Sequence, residues 1–248
     1  MRFFIRKKDR KIKKAAFGSA LFMVSAFALL NPASSYANKN TRDSDESANS
    51  GEVAGEALTA RKIFEKIESS AIEILPLSTR LDMLDYWDVD SVYKASNAME
   101  GLSWLESVTP NYLKVHVTSV SSLEIKLLPL KKDKIVMTIY TVGDSEQAED
   151  SQVKFYDENL KELPTEKYLG MPQLKDFFEI PKGSATKMKE IEEMIPFPTI
   201  AFTANPDNDN LEARLTVEKY INQDDWNIAK LFVKPAVVLE WKKGKYRK

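Results

Sequence analysis

Three groups of residues have types and spacings that could do chemistry. Arg80, Asp82, Asp85, Asp88 and Asp90 make the most charged stretch of expected helix, with Asp82 and Asp85 one turn apart. Two carboxylates so placed could divide the acid and base roles of a small hydrolase acting on envelope glycan or peptide, or ligate a cation. A solvated helix face, with Arg80 paired to a nearby carboxylate, accounts for the same residues. His116 is the single histidine. A two-histidine metal site is therefore excluded, and a Ser-His-Asp relay would have to use this residue. It is expected on the polar face of a strand beside Lys114 and Thr118, and nothing near it resembles a nucleophile elbow. In residues 205–212, N-P-D-N-D-N-L-E, Asn205, Asp207 and Asp209 alternate as calcium ligands do. Thr216 stands where that loop needs a bidentate glutamate, so an Asn-rich hairpin turn is expected and no metal site. The acidic loop 144–150 is expected to be solvated.

Binding chemistry has fewer markers. Trp104, Trp226 and Tyr246 could serve a partner groove as exposed aromatic anchors, or be ordinary core. Lys242, Lys243, Lys245, Arg247 and Lys248 read as a solvated basic tail that could alternatively meet anionic lipid headgroups or an acidic partner. With no cysteine, neither disulfides nor thiol chemistry is available, and eight glycines leave little room for a phosphate loop. No cofactor is expected.

The elements that must position these residues are clearest in residues 112–157. Leu113, Val115 and Val117 alternate with Lys114, His116 and Thr118; Leu123, Ile125 and Leu127 alternate with Glu124 and Lys126. Residues 135–142 are β-branched and apolar on both faces, as a central strand requires, and Val153, Phe155 and Tyr156 begin a fourth strand. Connections this short allow only an antiparallel meander. Ahead of it, Ile63, Phe64, Ile67 and Ala71 recur at helical spacing through about Ser69. Ser78 can cap a second helix in which Leu81, Leu84 and Tyr86 or Trp87 share a face. These helices must cover one side of the sheet. Residues 91–110 fit a short hairpin packed under them.

Beyond Leu163, a crossing punctuated by Pro164, Pro172 and Pro181 leads to a helix over 184–195. A strand pair follows over 199–203 and 211–220, then a short helix opened by Asn222 with Asp225 and running to Phe232, and a last strand over 236–241. The fold class expected is α+β: an antiparallel meander with helices largely on one face, built as one unit or as two packed lobes, 57–163 and 164–248.

Residues 1–37 read as a secretory leader, with eight basic residues, an apolar run over 15–30 and small residues Ser35 and Ala37 before the expected cleavage. The run is shorter than the roughly 20 residues of a membrane span, and no cysteine offers a lipid anchor. Residues 38–56 are polar and expected to be a flexible tether. The chain holds 36 Lys+Arg and 37 Asp+Glu; without the leader's eight bases and one acid, 28 face 36, a net charge near −8. That balance argues against a nucleic-acid partner. A periplasmic or secreted protein with an envelope protein or glycan partner is expected.

The strings L-P-L-S-T-R-L-D-M-L-D-Y-W from Leu75, N-A-M-E-G from Asn97, N-Y-L-K-V from Asn111, S-S-L-E-I-K-L-L-P from Ser121 and D-S-Q-V-K-F-Y-D from Asp150 resemble an exported family largely confined to Bacteroidales. It is domain-of-unknown-function family 3256. The resemblance weakens at the C-terminal L-F-V-K-P-A-V-V-L-E-W-K-K-G-K-Y. Leu160 stands where the family usually has tryptophan, and the tether before Thr59 is not typical. The resemblance implies a Gram-negative envelope and transfers no catalytic residue. In such a host, Asp90-Ser91-Val92 resembles an O-glycan acceptor, which makes Ser91 a candidate glycosylation site. The reading reached is a non-catalytic binding or protein-interaction module, with the hydrolase and an apolar-ligand carrier as alternatives.

Overall fold

The chain is seen in a computed structural model that describes residues 57–89, 93–144, 146–181 and 183–248. The leader, the tether and Ser91 lie outside the described residues. Seven strands follow in chain order, each antiparallel to the last: β1 (Lys94–Ser96), β2 (Leu102–Val108), β3 (Tyr112–Thr118), β4 (Ser121–Leu130), β5 (Asp133–Val142), β6 (Asp150–Tyr156) and β7 (Glu162–Leu163). The expected meander is β3 to β6, and the expected hairpin is β1 with β2. Strand length tapers from ten residues in β4 and β5 to three in β1 and two in β7. Two strands join ahead of the meander and one behind, which puts β4 at the centre rather than β5. β4 is accordingly buried on both faces, including Glu124 and Lys126.

One face of the sheet carries α1 (Ala60–Lys66) and α2 (Leu77–Trp87). Ile63, Phe64, Leu75, Met83 and Leu84 pack there on Leu113, Val115, Leu123, Ile125 and Leu127. Thr59 caps α1, its Oγ1 accepting from the Lys62 amide at 3.2 Å. The helix stops at Lys66, so Ala71 falls in a separate 3₁₀ turn and is exposed. Pro76 precedes α2 directly, which leaves Ser78 inside the first turn instead of capping it. The buried stripe of α2 is Arg80, Met83 and Leu84 with the half-buried Trp87. Leu81, expected to share that stripe, sits about a quarter turn away and is exposed, as is Tyr86.

Arg80 ties the two helices together. Its Nε donates to Leu75 O at 3.1 Å, its Nη1 to Phe64 O and to Glu65 O at 3.4 Å, and its Nη2 to Ile67 O at 2.7 Å. Phe64 and Glu65 belong to the last turn of α1, where unpaired carbonyls concentrate negative potential. A planar fork of donors can serve several of these at once. Burial lowers the guanidinium pKa from its ordinary value.

The other face is covered by the second half of the chain: α3 (Thr165–Tyr168), α4 (Ala185–Met194), β8 (Ile200–Ala204), β9 (Leu211–Leu215), α5 (Gln223–Ala229), β10 (Val237–Lys242) and β11 (Lys245–Arg247). Its four strands form an antiparallel sheet in the order β11-β10-β9-β8. Phe177, Phe178, Ile191, Phe202, Leu211, Leu239 and Tyr246 share a core with Ile135, Met137, Ile139, Val153 and Phe155. β9 stops at Leu215, short of the expected Tyr220, because Val217–Lys219 turns as 3₁₀. α5 ends at Ala229, and its cap is Asn222 accepting from the Asp224 amide at 2.8 Å, without Asp225. The basic tail exposes Lys242, Lys243, Arg247 and Lys248 to solvent as expected, but it is folded and not a free chain. Lys243 and Gly244, at φ 54° and 75°, make the two-residue turn that folds it back as β11, and Tyr246 is 2% exposed. Together, residues 54–248 form one compact unit.

Replacing Arg80 by lysine keeps the charge but loses the fork. Arg80→Lys is expected to lower unfolding stability by ~3 kcal/mol, read as a lower urea midpoint at unchanged m-value. An unchanged midpoint would mean the four carbonyl contacts do not hold the helices.

Candidate functional site: the uncovered half of the large sheet

Where the second sheet sits decides what is left open. Alternate amides of its edge strand β8 point away from β9 and end on side chains of the first sheet. Ile200 N donates to Asp150 Oδ1 at 3.2 Å, Phe202 N to Ser151 Oγ at 3.0 Å, and Ala204 N to Glu124 Oε2 at 2.9 Å. At the following turn, Lys126 Nζ donates to Asn205 O at 2.8 Å and Pro206 O at 3.2 Å. The acidic loop before β6 joins in. Glu149 pairs with Arg214, and Thr216 Oγ1 donates to Glu149 O at 2.5 Å. The end of this loop, Glu149 and Asp150, is therefore part of the seam, while Glu146 and Gln147 are exposed as expected. Asn205 behaves as the expected turn residue, its Oδ1 accepting from the Asp207 and Asn208 amides.

These contacts lie on β4, β6 and the loop before β6, so the second sheet covers β3 on this face at Tyr112 and leaves the rest of the face of β1–β3 open. Its centre is a cross-strand row, with Trp104 opposite Lys94 on β1 and His116 on β3. The indole stacks on the imidazole at 4.4 Å and 13°, and Lys94 Nζ lies 4.8 Å from the ring centroid. Glu106 occupies an irregularity in the β2–β3 pairing, which turns its carboxylate towards β3. There it meets His116 Nε2 at 2.5 Å and Lys114 Nζ at 3.0 Å. Partial burial raises the Glu106 pKa, but the two hydrogen bonds outweigh it and hold the group below the ordinary carboxylate range. Leu102, 50% exposed, extends the surface towards the β1–β2 turn.

Beneath the margin of this surface, Glu124 is 3% exposed. Burial pushes its pKa up to about 7, against the Ala204 amide, Lys114 and the Tyr112 hydroxyl, all of which favour the ionised form. Tyr112 is raised in turn by burial and by Glu124.

Chemically the row holds a carboxylate between two donors. Ser122 is the register partner of His116 on β4, yet among the described residues no hydrogen bond joins them. The remaining sequence candidates scatter. Asp82 and Asp85 are exposed on α2, beyond the opposite face of the sheet, with the Asp85 side chain 82% exposed. Arg61 takes the pairing expected of Arg80, reaching Asp88 at 2.8 Å and Asp85 at 3.9 Å. Arg80 and Tyr246 are buried in separate cores and so cannot anchor a partner. Trp226 is half-buried against the C-terminal core, far in sequence from Trp104. Trp104 and His116, by contrast, come together. Glu106, which joins them, went unnoticed in the sequence because its strand shows no clean period.

Comparison with known proteins agrees with this architecture. A family model described as "Protein of unknown function (DUF3256)" matches residues 53–246. The chain belongs to this family. A solved structure of a domain of an uncharacterized protein from Porphyromonas gingivalis W83 superposes on this DUF3256 chain with a TM-score of 0.64 at 19% identity, over 75% of this chain and 96% of that one. At that identity the likeness is one of fold. No curated protein matches. Among the described residues no helix is long and apolar enough to cross a membrane.

The buried Glu124 makes a signed pH prediction. Its folded pKa of about 7 lies above the ordinary value of 4.5. The native state therefore holds the proton more tightly, so this contribution is fully present below the unfolded pKa and is lost as pH rises through 7. Its loss between pH 5 and pH 8 should be on the order of 3 kcal/mol. Glu124→Gln, which can still accept from Ala204, should remove that difference in urea melts. Parallel pH profiles for the two proteins would refute it.

Proposed function

We propose that this DUF3256 protein is an exported, non-catalytic binding module of the cell envelope that holds a protein partner on the open face of β1–β3. Export is supported by the basic, apolar and small-residue segments of 1–37 and by an acidic balance after them. One observation carries the binding role. The seam along β8 closes half of a large sheet face and leaves the other half with an ordered aromatic and charged row and an exposed leucine.

The geometry favours protein over glycan. Sugar recognition by tryptophan needs a free ring face, and here His116 stacks on the indole and Lys94 Nζ also lies over the ring, which leaves less of it to a sugar. A centre of Leu102 and Trp104 edges with Glu106, Lys114 and Lys94 around it has the apolar middle and polar rim of a protein contact. Nothing comparable supports hydrolysis, since Asp82 and Asp85 stand exposed on a helix.

Site-specific photocrosslinking in the native envelope tests the reading. A photoreactive residue in place of Leu102 should give one discrete protein adduct, and the same residue in place of Asp82 should give none. Equal labelling from both positions, or labelling from neither, would remove the proposed face.

A further inference from the structure

Where the β4–β5 tip of the large sheet meets the β10–β11 tip of the second sheet and α3, there is a groove of about 420 Å³. Lys131 comes from the β4–β5 turn, Lys167 from α3, Lys243 from the β10–β11 turn, and Lys245 and Arg247 from β11. The tips are locked to each other. A Cβ on Gly244 would lie 2.5 Å from Leu130 Cδ1, and Trp241 Nε1 donates to Pro129 O at 2.8 Å. α3 is tied to the same strand through the Leu169–Tyr246 bridge and a Lys245 Nζ bond to Glu166 O at 3.4 Å.

Five cations in one groove of an otherwise acidic chain need counter-charge, and among the described residues no carboxylate supplies it. None of the five is in an ion pair, and the single acid of the lining, Asp133, forms none with them. Of the neighbouring cations outside the groove, Lys242 pairs with Glu240 and Lys248 with Asp176, while Lys132, beside Lys131 in the turn, is in no ion pair among the described residues. Two groove lysines also stand at turn positions with φ near +55°, at 53° for Lys131 and 54° for Lys243, a region that glycine and asparagine occupy more easily. The volume falls within the roughly 300–1,000 Å³ of small-ligand sites.

We propose that this groove binds a ligand carrying two or more adjacent phosphate groups. Clustered phosphates match the charge, and lysine and arginine donors approaching from three segments can reach separate oxygens. Such groups occur both on soluble polyphosphorylated compounds and, as two phosphodiesters on one glycerol, in bisphosphate lipid headgroups.

The test uses the full chain, titrated calorimetrically with tripolyphosphate and, separately, co-sedimented with phosphatidylcholine vesicles with and without cardiolipin. Binding to tripolyphosphate assigns a soluble source, and binding to cardiolipin vesicles alone assigns a headgroup; either supports the groove. Lys131→Asn with Lys243→Asn removes two charges while keeping a residue that tolerates the left-handed turn, and should weaken binding about tenfold or more. Lys242→Gln, outside the groove, should leave affinity unchanged. No binding to either probe near physiological ionic strength would overturn the proposal. So would an affinity equal in the wild type and the double asparagine variant.

Discussion

Strand β8 is an edge whose outward amides must find acceptors, and the whole arrangement of the second half follows from where those acceptors are. Asp150, Ser151 and Glu124 supply them from two strands of the large sheet, and Lys126 returns a bond to the turn that follows. A buried amide without a partner costs free energy comparable to a lost hydrogen bond. The second sheet therefore has one seat over β4–β6, and the open surface over β1–β3 is its geometric remainder. The same bonds explain why a glutamate and a lysine can lie in the most buried strand: each faces backbone groups brought by a segment about eighty residues away.

Arg80 follows the same logic on the opposite face. Its charge is compensated by carbonyl oxygens where α1 ends, so helix termination and helix docking become one event. Both faces of the sheet are thus held by side chains that satisfy backbone groups, with the apolar cores filling the space between. Carboxylate pairs lie mostly at the surface, where they contribute little.

The strands of the meander were legible because their side chains alternate and their turns are short. What single-chain reading could not supply was the second partner of each face. Leu123-Glu124-Ile125-Lys126-Leu127 has the pattern of a half-solvated strand; only Ala204 and Asn205, distant in sequence, show that its polar side is buried. Arg80 beside aspartates reads as a helix-surface ion pair, and nothing local announces that it faces the end of another helix. The basic tail hid a strand because lysine dominates it. Yet Tyr246 at its middle, and Gly244 two residues earlier, are an apolar anchor and a turn residue. Of the open face, Trp104 and His116 were visible as residue types but their neighbourhood was not, since register across β1–β3 depends on a bulge at Glu106.

The taper of the sheets has a consequence for how this molecule meets other chains. Edge strands offer unpaired amides and carbonyls to any extended peptide, which is the route to runaway self-association. Here the terminal strands β1, β7 and β11 are two or three residues long, and the amides of β8 are already taken. A visiting strand would find only two or three rungs to hold. The broad surfaces these sheets present are therefore their side-chain faces, not their edges.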